Sequence, residues 1–127
     1  MNVIHRHGAL FLLLFFLAAY LFPLGARDLV SSDETRYAEI PREMVSSGDW
    51  VVPRLNGVRY FEKPALGYWV HAGSLLLFGK NNFAVRLPSA LAVGLSVLLI
   101  FLLARQAVRN QDKDGGFVAV LAALIFL

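Results

Sequence analysis

Residues 31–68 read SSDETRYAEIPREMVSSGDWVVPRLNGVRYFEKPALGY, a charged and aromatic stretch between segments that are almost entirely hydrocarbon. The chain has 127 residues, of which 57% are hydrophobic and only 17% are charged. Soluble domains carry about 25% charged residues. Because the apolar residues are concentrated in long blocks, the composition is typical of a membrane protein. Polar chemistry is therefore expected in the charged stretch.

Charge and composition exclude several other classes of protein. The net charge of +3 is spread over the loops and forms no basic stripe, so no nucleic-acid partner is expected. Cysteine is absent, which excludes disulfides and thiolate chemistry. The sequence contains no glycine-rich phosphate loop, no zinc-type His/Glu pairing and no serine elbow, so no nucleotide cofactor is expected.

The apolar blocks predict an all-α polytopic membrane protein. We expect a retained first span at about residues 8–24, a second at 64–79 and a third at 87–104, with a tight connection over 80–86. The last block, 117–127, is too short to cross a bilayer. We therefore expect residues 1–127 to be the N-terminal part of a longer transmembrane domain. Charge alone leaves the orientation undecided. The positive-inside rule favours a cytoplasmic 25–63 loop, but the basic residues of this loop lie among acids and can serve binding instead.

The first half of that loop predicts an amphipathic helix at the membrane interface. Ser31 and Glu34 have the spacing of a capping box at a helix N-terminus. Tyr37, Ile40 and Met44 then recur at helical spacing and form one apolar stripe.

Prolines and glycines predict where the regular elements of the loop bend and end. Pro41 predicts a kink, or two short helices of which it opens the second, and Gly48 is the expected C-cap. Asn56-Gly57 indicates an extended loop or a short hairpin. Pro64 is expected as the first residue of the second membrane helix.

Asp33, Arg36 and Tyr37 are the candidate reactive residues of the first half. Their i, i+3, i+4 spacing places them on one face of a helix. A carboxylate beside an arginine stays ionised, because the positive charge favours the charged form. The alternative is a helix-capping acid with a weak surface ion pair.

Tyr60, Glu62 and Lys63 are the candidates of the second half, at the start of the second span. Lys63 can bind a phosphate oxygen as a compact positive charge, and Glu62 can ligate a metal or pair with a base. The alternative is that both are charged residues that reach from the helix end to the interface.

Histidines supply the remaining titratable candidates. His71 lies about two turns into the second span, where an ionisable residue is a functional candidate by default. The favoured interpretation is a neutral His71 bonded to a neighbouring helix. His5 and His7 are expected to be solvated.

Taken together, residues 33–69 resemble the first external loop of the membrane glycosyltransferases that use lipid-phosphate sugars, a group that includes the protein O-mannosyltransferases. FGKNNFAVRLPSAL, at residues 78–91, is similar to the family's next segment. The resemblance implies a GT-C-type fold, of which this chain is the N-terminal portion. It also implies a multi-pass protein of the bacterial inner membrane, with a cytoplasmic N-terminus and with loop 25–63 and its interfacial helices on the periplasmic side.

The resemblance also implies roles for the candidate residues. Asp33 matches the catalytic aspartate, and Glu62 matches a residue at a divalent metal such as zinc. The implied ligands of the substrate and its phosphate are Arg36, Tyr37, Tyr60 and Lys63. Ala65 is a departure, since many relatives repeat proline after Pro64.

The function implied is transfer of a sugar from a polyprenyl phosphate donor to an envelope acceptor. The most similar branch moves 4-amino-4-deoxy-L-arabinose from undecaprenyl phosphate to lipid A, and a sister branch moves mannose to proteins. Membrane lipids are further expected partners. From another class, a transporter or a membrane anchor would use the charged loop as a vestibule. We expect the isolated 127-residue segment to be inactive.

Overall fold

A computed structural model describes residues 3–30, 33–107 and 115–127. The chain divides into two compact units. The apolar unit comprises Met1–Phe22 and Ala90–Leu127, and the loop unit comprises Pro23–Ser89.

The regular elements of the described residues are helices and one short hairpin, in agreement with the expected all-α class. Helix α1 (Val3–Phe16) continues through a π turn at Leu17–Leu21 and a 3₁₀ turn at Phe22–Gly25. The helices are α1 (Val3–Phe16), α2 (Asp33–Ser47), α3 (Ala65–Phe78), α4 (Asn82–Ala107) and α5 (Gly115–Phe126), and the hairpin strands are β1 (Arg54–Leu55) and β2 (Val58–Arg59).

Among the described residues, two helical segments are long and apolar enough to cross a bilayer, His7–Gly25 and Asn82–Ala107. Helices α3 and α5 are apolar but shorter. Helix α3 begins at Ala65 rather than at Pro64 as expected, because Pro64 has an extended ψ of 139° and is the N-cap.

The apolar unit is held together by packing of hydrocarbon side chains and small residues. Its buried cluster consists of Leu12, Val97, Phe101, Ala119 and Ala123. Close approach of the helices matters because helices in lipid gain little from the hydrophobic effect when they associate. A Cβ added to Gly94 would lie 2.7 Å from Phe16 Cζ, so Gly94 leaves the space that this ring occupies.

Helix α2 forms as the periodicity predicts, with its apolar stripe buried. Ile40 and Met44 are almost fully buried and pack with Tyr68 of α3. The helix runs without interruption through Pro41, so the alternative of two short helices is wrong. Gly48 follows the last helical residue with φ +73° and donates its N–H to the Met44 carbonyl, as expected of a C-cap.

The segment after α2 forms the short hairpin that Asn56-Gly57 indicates. Both turn residues have positive φ, +53° and +79°, which is the pattern of a type I′ turn. Arg54 pairs with Arg59 and Leu55 with Val58 in an antiparallel register.

The predicted tight connection over residues 80–86 is wrong, because α4 begins at Asn82. The side-chain oxygen of Asn81 accepts a 2.8 Å hydrogen bond from the Ala84 N–H, so Asn81 caps the helix. Arg86 is consequently a residue of the second helical turn rather than of a loop.

Pro88 lies inside α4 and cannot donate to the carbonyl of Ala84 four residues earlier. The Ser74 hydroxyl of α3 donates a buried 2.6 Å hydrogen bond to that carbonyl. In a low-dielectric environment an unsatisfied carbonyl is costly, so Ser74 allows α4 to continue through the proline.

Candidate functional site

Three tyrosines bring the two halves of the charged loop together. Tyr68 is buried with Ile40 and Met44, and Tyr37 and Tyr60 pack against the same cluster. Because Tyr37 lies on α2 and Tyr60 lies just before α3, burying their rings in one cluster aligns the charged residues on either side.

The result is an exposed cluster of four charged side chains, Asp33, Arg36, Glu62 and Lys63. Lys63 Nζ lies 3.5 Å from Asp33 Oδ1, and Arg36 Nη1 lies 3.6 Å from the same oxygen. Arg36 Nη1 is also 3.8 Å from Glu62 Oε2. The structure therefore brings together all the charged residues that the sequence marks as candidates.

Aromatic rings lie beneath both cations of the exposed cluster. Lys63 Nζ lies 5.1 Å from the centre of the Tyr37 ring, and Arg36 Cζ lies 5.9 Å from the centre of the Tyr60 ring. These distances are within the range of cation–π attraction. The Tyr60 hydroxyl is buried and has no hydrogen-bond partner in the described part of the chain.

The ion pairs of the exposed cluster suit exchange with a ligand. Charge-assisted N–H···O hydrogen bonds are typically 2.7–2.9 Å long, about 0.6 Å or more shorter than these contacts. The carboxylates are well exposed, at 69% for Asp33 and 60% for Glu62. An incoming phosphate can therefore take up the cations without first breaking a strong, buried interaction.

A second charged group, which sequence reasoning missed, lies next to the exposed cluster. We call it the Arg86 network. The Arg86 guanidinium is only 9% exposed, and Nε and Nη2 donate to the Glu34 carboxylate at 3.1 and 2.9 Å. Its other acceptors are the carbonyls of Leu24, Arg27 and Asp28, at 2.7–2.8 Å.

The Arg86 network satisfies every donor of the guanidinium, since arginine has five N–H groups and five acceptors surround it. The Glu34 carboxylate also accepts a 2.6 Å bond from the Val30 N–H. Hydrogen bonds from Arg86, followed by that bond from Val30, lower the pKa of Glu34 from 4.5 to about 2. Glu34 is thus ionised at any physiological pH.

Glu34 was expected to reach back to the capped N-terminus of its own helix. Its observed backbone partner is Val30, and Ser31, the other half of the expected capping box, lies outside the described residues. The Asn81 capping signal could have placed Arg86 inside α4. The partner of Arg86 is Glu34, which lies 52 residues earlier in the chain, and no local pattern indicates this pairing.

His71 does not make the expected hydrogen bond to a neighbouring helix. Its Nδ1 lies 2.8 Å from the carbonyl of Gly67, one turn earlier in the same helix. Its contact with another helix is through its ring, which lies 4.8 Å from the Tyr37 ring. His7 is exposed, as expected, whereas the side chain of His5 lies outside the described residues.

A metal at Glu62 finds no further ligands here. In the described part of the chain, no group of three or more His, Asp or Glu side chains could hold a metal ion. Glu62 faces Arg36, and one carboxylate falls short of the three or four protein ligands usual for zinc. These residues do not by themselves form a metal centre, so the metal stays a prediction.

The described residues form a helical segment with two stretches long and apolar enough to cross a bilayer, and with a paired carboxylate–cation cluster. The family model of the dolichyl-phosphate-mannose-protein mannosyltransferases matches residues 7–127. The chain belongs to this family.

Curated relatives narrow the similarity to one branch. The chain is 55% identical, over 99% of its length, to undecaprenyl phosphate-alpha-4-amino-4-deoxy-L-arabinose arabinosyl transferase 2 of Proteus mirabilis, covering 22% of that protein. It is 59% identical, over 90% of its length, to the corresponding transferase of Aeromonas hydrophila, covering 20% of it. The chain therefore spans about a fifth of the length of these relatives.

Two solved structures share this arrangement of helices. Both are of ArnT from Cupriavidus metallidurans, and both matches cover 93% of this chain. The apo structure has a TM-score of 0.66 at 35% identity, with 23% of that chain covered. The structure bound to undecaprenyl phosphate has a TM-score of 0.63 at 33% identity, with 24% covered.

Proposed function

We propose that this chain is part of a membrane glycosyltransferase that moves 4-amino-4-deoxy-L-arabinose from undecaprenyl phosphate to a phosphate of lipid A. The observation that carries the proposal is the exposed cluster, in which two cations flank one carboxylate. The names of the Proteus and Aeromonas relatives, and the undecaprenyl phosphate in one of the Cupriavidus structures, support the choice of donor.

The cations of the exposed cluster suit a leaving group that is a lipid phosphate. In the transfer, the bond between the sugar carbon and the carrier phosphate oxygen breaks, and its electron pair stays on the phosphate. Positive groups held where that charge develops lower the barrier. Lys63 and Arg36 are the groups that we assign to the carrier phosphate, with Tyr37 and Tyr60 beneath them.

The role of Asp33 depends on the chemistry of the acceptor. A protein hydroxyl would need a general base to remove its proton. A lipid A phosphate already carries negative charge near neutral pH, because the second pKa of a phosphate monoester is about 6. With that acceptor, Asp33 orients the attacking phosphate or stabilises positive charge on the sugar.

The remaining parts of the proposal concern placement and cofactor. We place loop 25–63 on the periplasmic face of the inner membrane, where both lipid substrates are accessible. A divalent metal at Glu62 would need further ligands from outside the described residues.

Transfer is tested with membranes that contain the full-length protein carrying this segment. They are incubated with undecaprenyl-linked aminoarabinose and lipid A, and the lipid A is weighed by mass spectrometry. We expect a gain of one aminoarabinose residue. Transfer from a polyprenyl-linked mannose to a protein would instead favour the sister branch, and uptake of substrate without transfer would favour a transporter.

Substitution of Lys63 tests the assignment of the cations. Lys63→Met is expected to lower kcat/KM for transfer by about 100-fold, the typical effect of removing one group that stabilises developing negative charge. Lys80→Met is the matched control, because Lys80 lies outside the exposed cluster, and it should transfer normally. Asp33→Asn is expected to lose transfer as well, and normal transfer by Asp33→Asn would overturn the role given to Asp33.

A further inference from the structure

We propose that His71 is a positioning residue for Lys63 and that it acts through the ring of Tyr37. This inference rests on the proposed function, since Lys63 is the group assigned to the carrier phosphate. His71 itself is only 8% exposed.

The orientation of the His71 ring is set by its own helix. Nδ1 lies 2.8 Å from the Gly67 carbonyl oxygen. A carbonyl oxygen only accepts, so Nδ1 carries the proton in this hydrogen bond. One face of the imidazole is therefore held toward α2, where Tyr37 lies.

The Tyr37 ring contacts both this imidazole and the ring of Tyr68, which lie on the same helix. The ring centres are 4.8 Å apart for His71 and 5.6 Å apart for Tyr68, with tilts of 34° and 42°. Both distances fall in the range at which aromatic pairs add stabilisation beyond burial. Two aromatic contacts from α3 thus restrict the rotation of the Tyr37 ring.

The restricted ring is the platform beneath Lys63, whose Nζ lies 5.1 Å from its centre. A lysine on a free stem has high rotamer entropy, and an exposed ion pair such as Lys63–Asp33 holds it weakly. The Tyr37 face adds a second attraction and limits the positions open to the ammonium. A series of contacts thus links His71 to Tyr37, Tyr37 to Lys63, and Lys63 to Asp33.

The proposed positioning of Lys63 requires an aromatic ring at position 71. His71→Leu and His71→Gln both remove it, whereas His71→Phe keeps a ring against Tyr37 and loses only the bond to Gly67. Ser74→Ala is the matched control, because it also removes a buried polar group of α3 but one that faces α4.

The contact can be measured without reference to activity. The full-length protein is reductively ¹³C-methylated in detergent, and the Lys63 dimethylammonium resonance is identified by its loss in Lys63→Arg. The Tyr37 ring should shift this resonance upfield. We expect the shift to be lost in His71→Leu and His71→Gln, and kept in His71→Phe and Ser74→Ala.

Kinetics then test the consequence for the donor. We expect His71→Leu to raise KM for the undecaprenyl-linked donor by about 10-fold, with little further loss when Lys63 is already Met, since coupled residues are non-additive. His71→Phe should restore most of the affinity. An unchanged Lys63 resonance in both ring-deleting variants, or an equal loss in the Lys63→Met background, would overturn the inference.

The two proposals fail in different ways. If the wild-type protein transfers no sugar, the proposed function is overturned, and the Lys63 resonance still decides whether His71 positions the ammonium. If the wild-type protein transfers normally and the Lys63 resonance is unchanged in the His71 variants, only the positioning role is overturned.

Discussion

Asp33 and Glu34 are neighbours in the first turn of α2, yet they belong to groups with opposite properties. In the exposed cluster, Asp33 is 69% exposed and its ion pairs are 3.5–3.6 Å long. In the Arg86 network, Glu34 is 29% exposed and its bonds to Arg86 are 2.9–3.1 Å long. The short hydrogen bonds of the Arg86 network join α2 to α4. The longer ion pairs of the exposed cluster remain open to a ligand.

Helix geometry makes this separation possible. Successive side chains on a helix point about 100° apart, so adjacent acids face different surroundings. Glu34 faces Arg86 near the start of α4, and Asp33 faces Lys63 at the end of the loop before α3. In the proposed function, the same residue class thus serves structure in one position and binding in the next.

The largest expected effect is on stability, from breaking the Arg86 network. Arg86→Leu leaves Glu34 and three backbone carbonyls without their donor, and we expect a loss of about 3–5 kcal/mol. Thermal unfolding of the full-length protein in detergent measures it. Arg42→Leu is the control, because its pair with Glu39 lies within one exposed helix face and contributes about 0.3–0.5 kcal/mol. Equal losses in the two variants would contradict the comparison.

An intermediate effect is expected from pH. The pKa of Glu34 falls from 4.5 to about 2 on folding. Its contribution is therefore complete above pH 4.5 and is lost as pH falls from 4.5 toward 2. We expect the loss in the free energy of unfolding to amount to about 1–3 kcal/mol. It is detected as a drop in melting temperature between about pH 6 and about pH 3.

Glu34→Gln separates this effect from that of other acids whose pKa is lowered, such as Asp49, which accepts backbone bonds from Val52 and Val51. The variant should be less stable at neutral pH and should lose less stability on acidification. A pH dependence identical to that of the wild type would show that Glu34 is not the group responsible.

The smallest expected effect is on the stability of the exposed cluster. Asp33→Asn and Lys63→Met should each change the free energy of unfolding by less than about 0.5 kcal/mol, because exposed ion pairs contribute little. The same thermal unfolding assay measures it. Normal stability together with lost transfer would sharpen the contrast between the two groups. A large loss of stability would mean that the exposed cluster also holds the fold together.

Much of the secondary structure follows from local pattern. The stripe of Tyr37, Ile40 and Met44 predicts α2 because burial at helical spacing requires a helix. Asn56-Gly57 predicts the turn because both positions need positive φ. The start of α4 differs from the expectation because Arg86, a charged residue typical of a loop, lies inside the helix and is paired with Glu34.

By itself, the sequence determined the apolar blocks, the amphipathic helix between them and the charged residues to examine. These properties follow from spacing along one element, which is local. Only the tertiary structure decided that Tyr37, Tyr60 and Tyr68 share one core, that Lys63 reaches Asp33 and that Arg86 finds Glu34. Those pairings join residues of different elements, up to 52 positions apart in the chain. They arise because burying aromatic rings and saturating one guanidinium are properties of packed elements, not of any single segment.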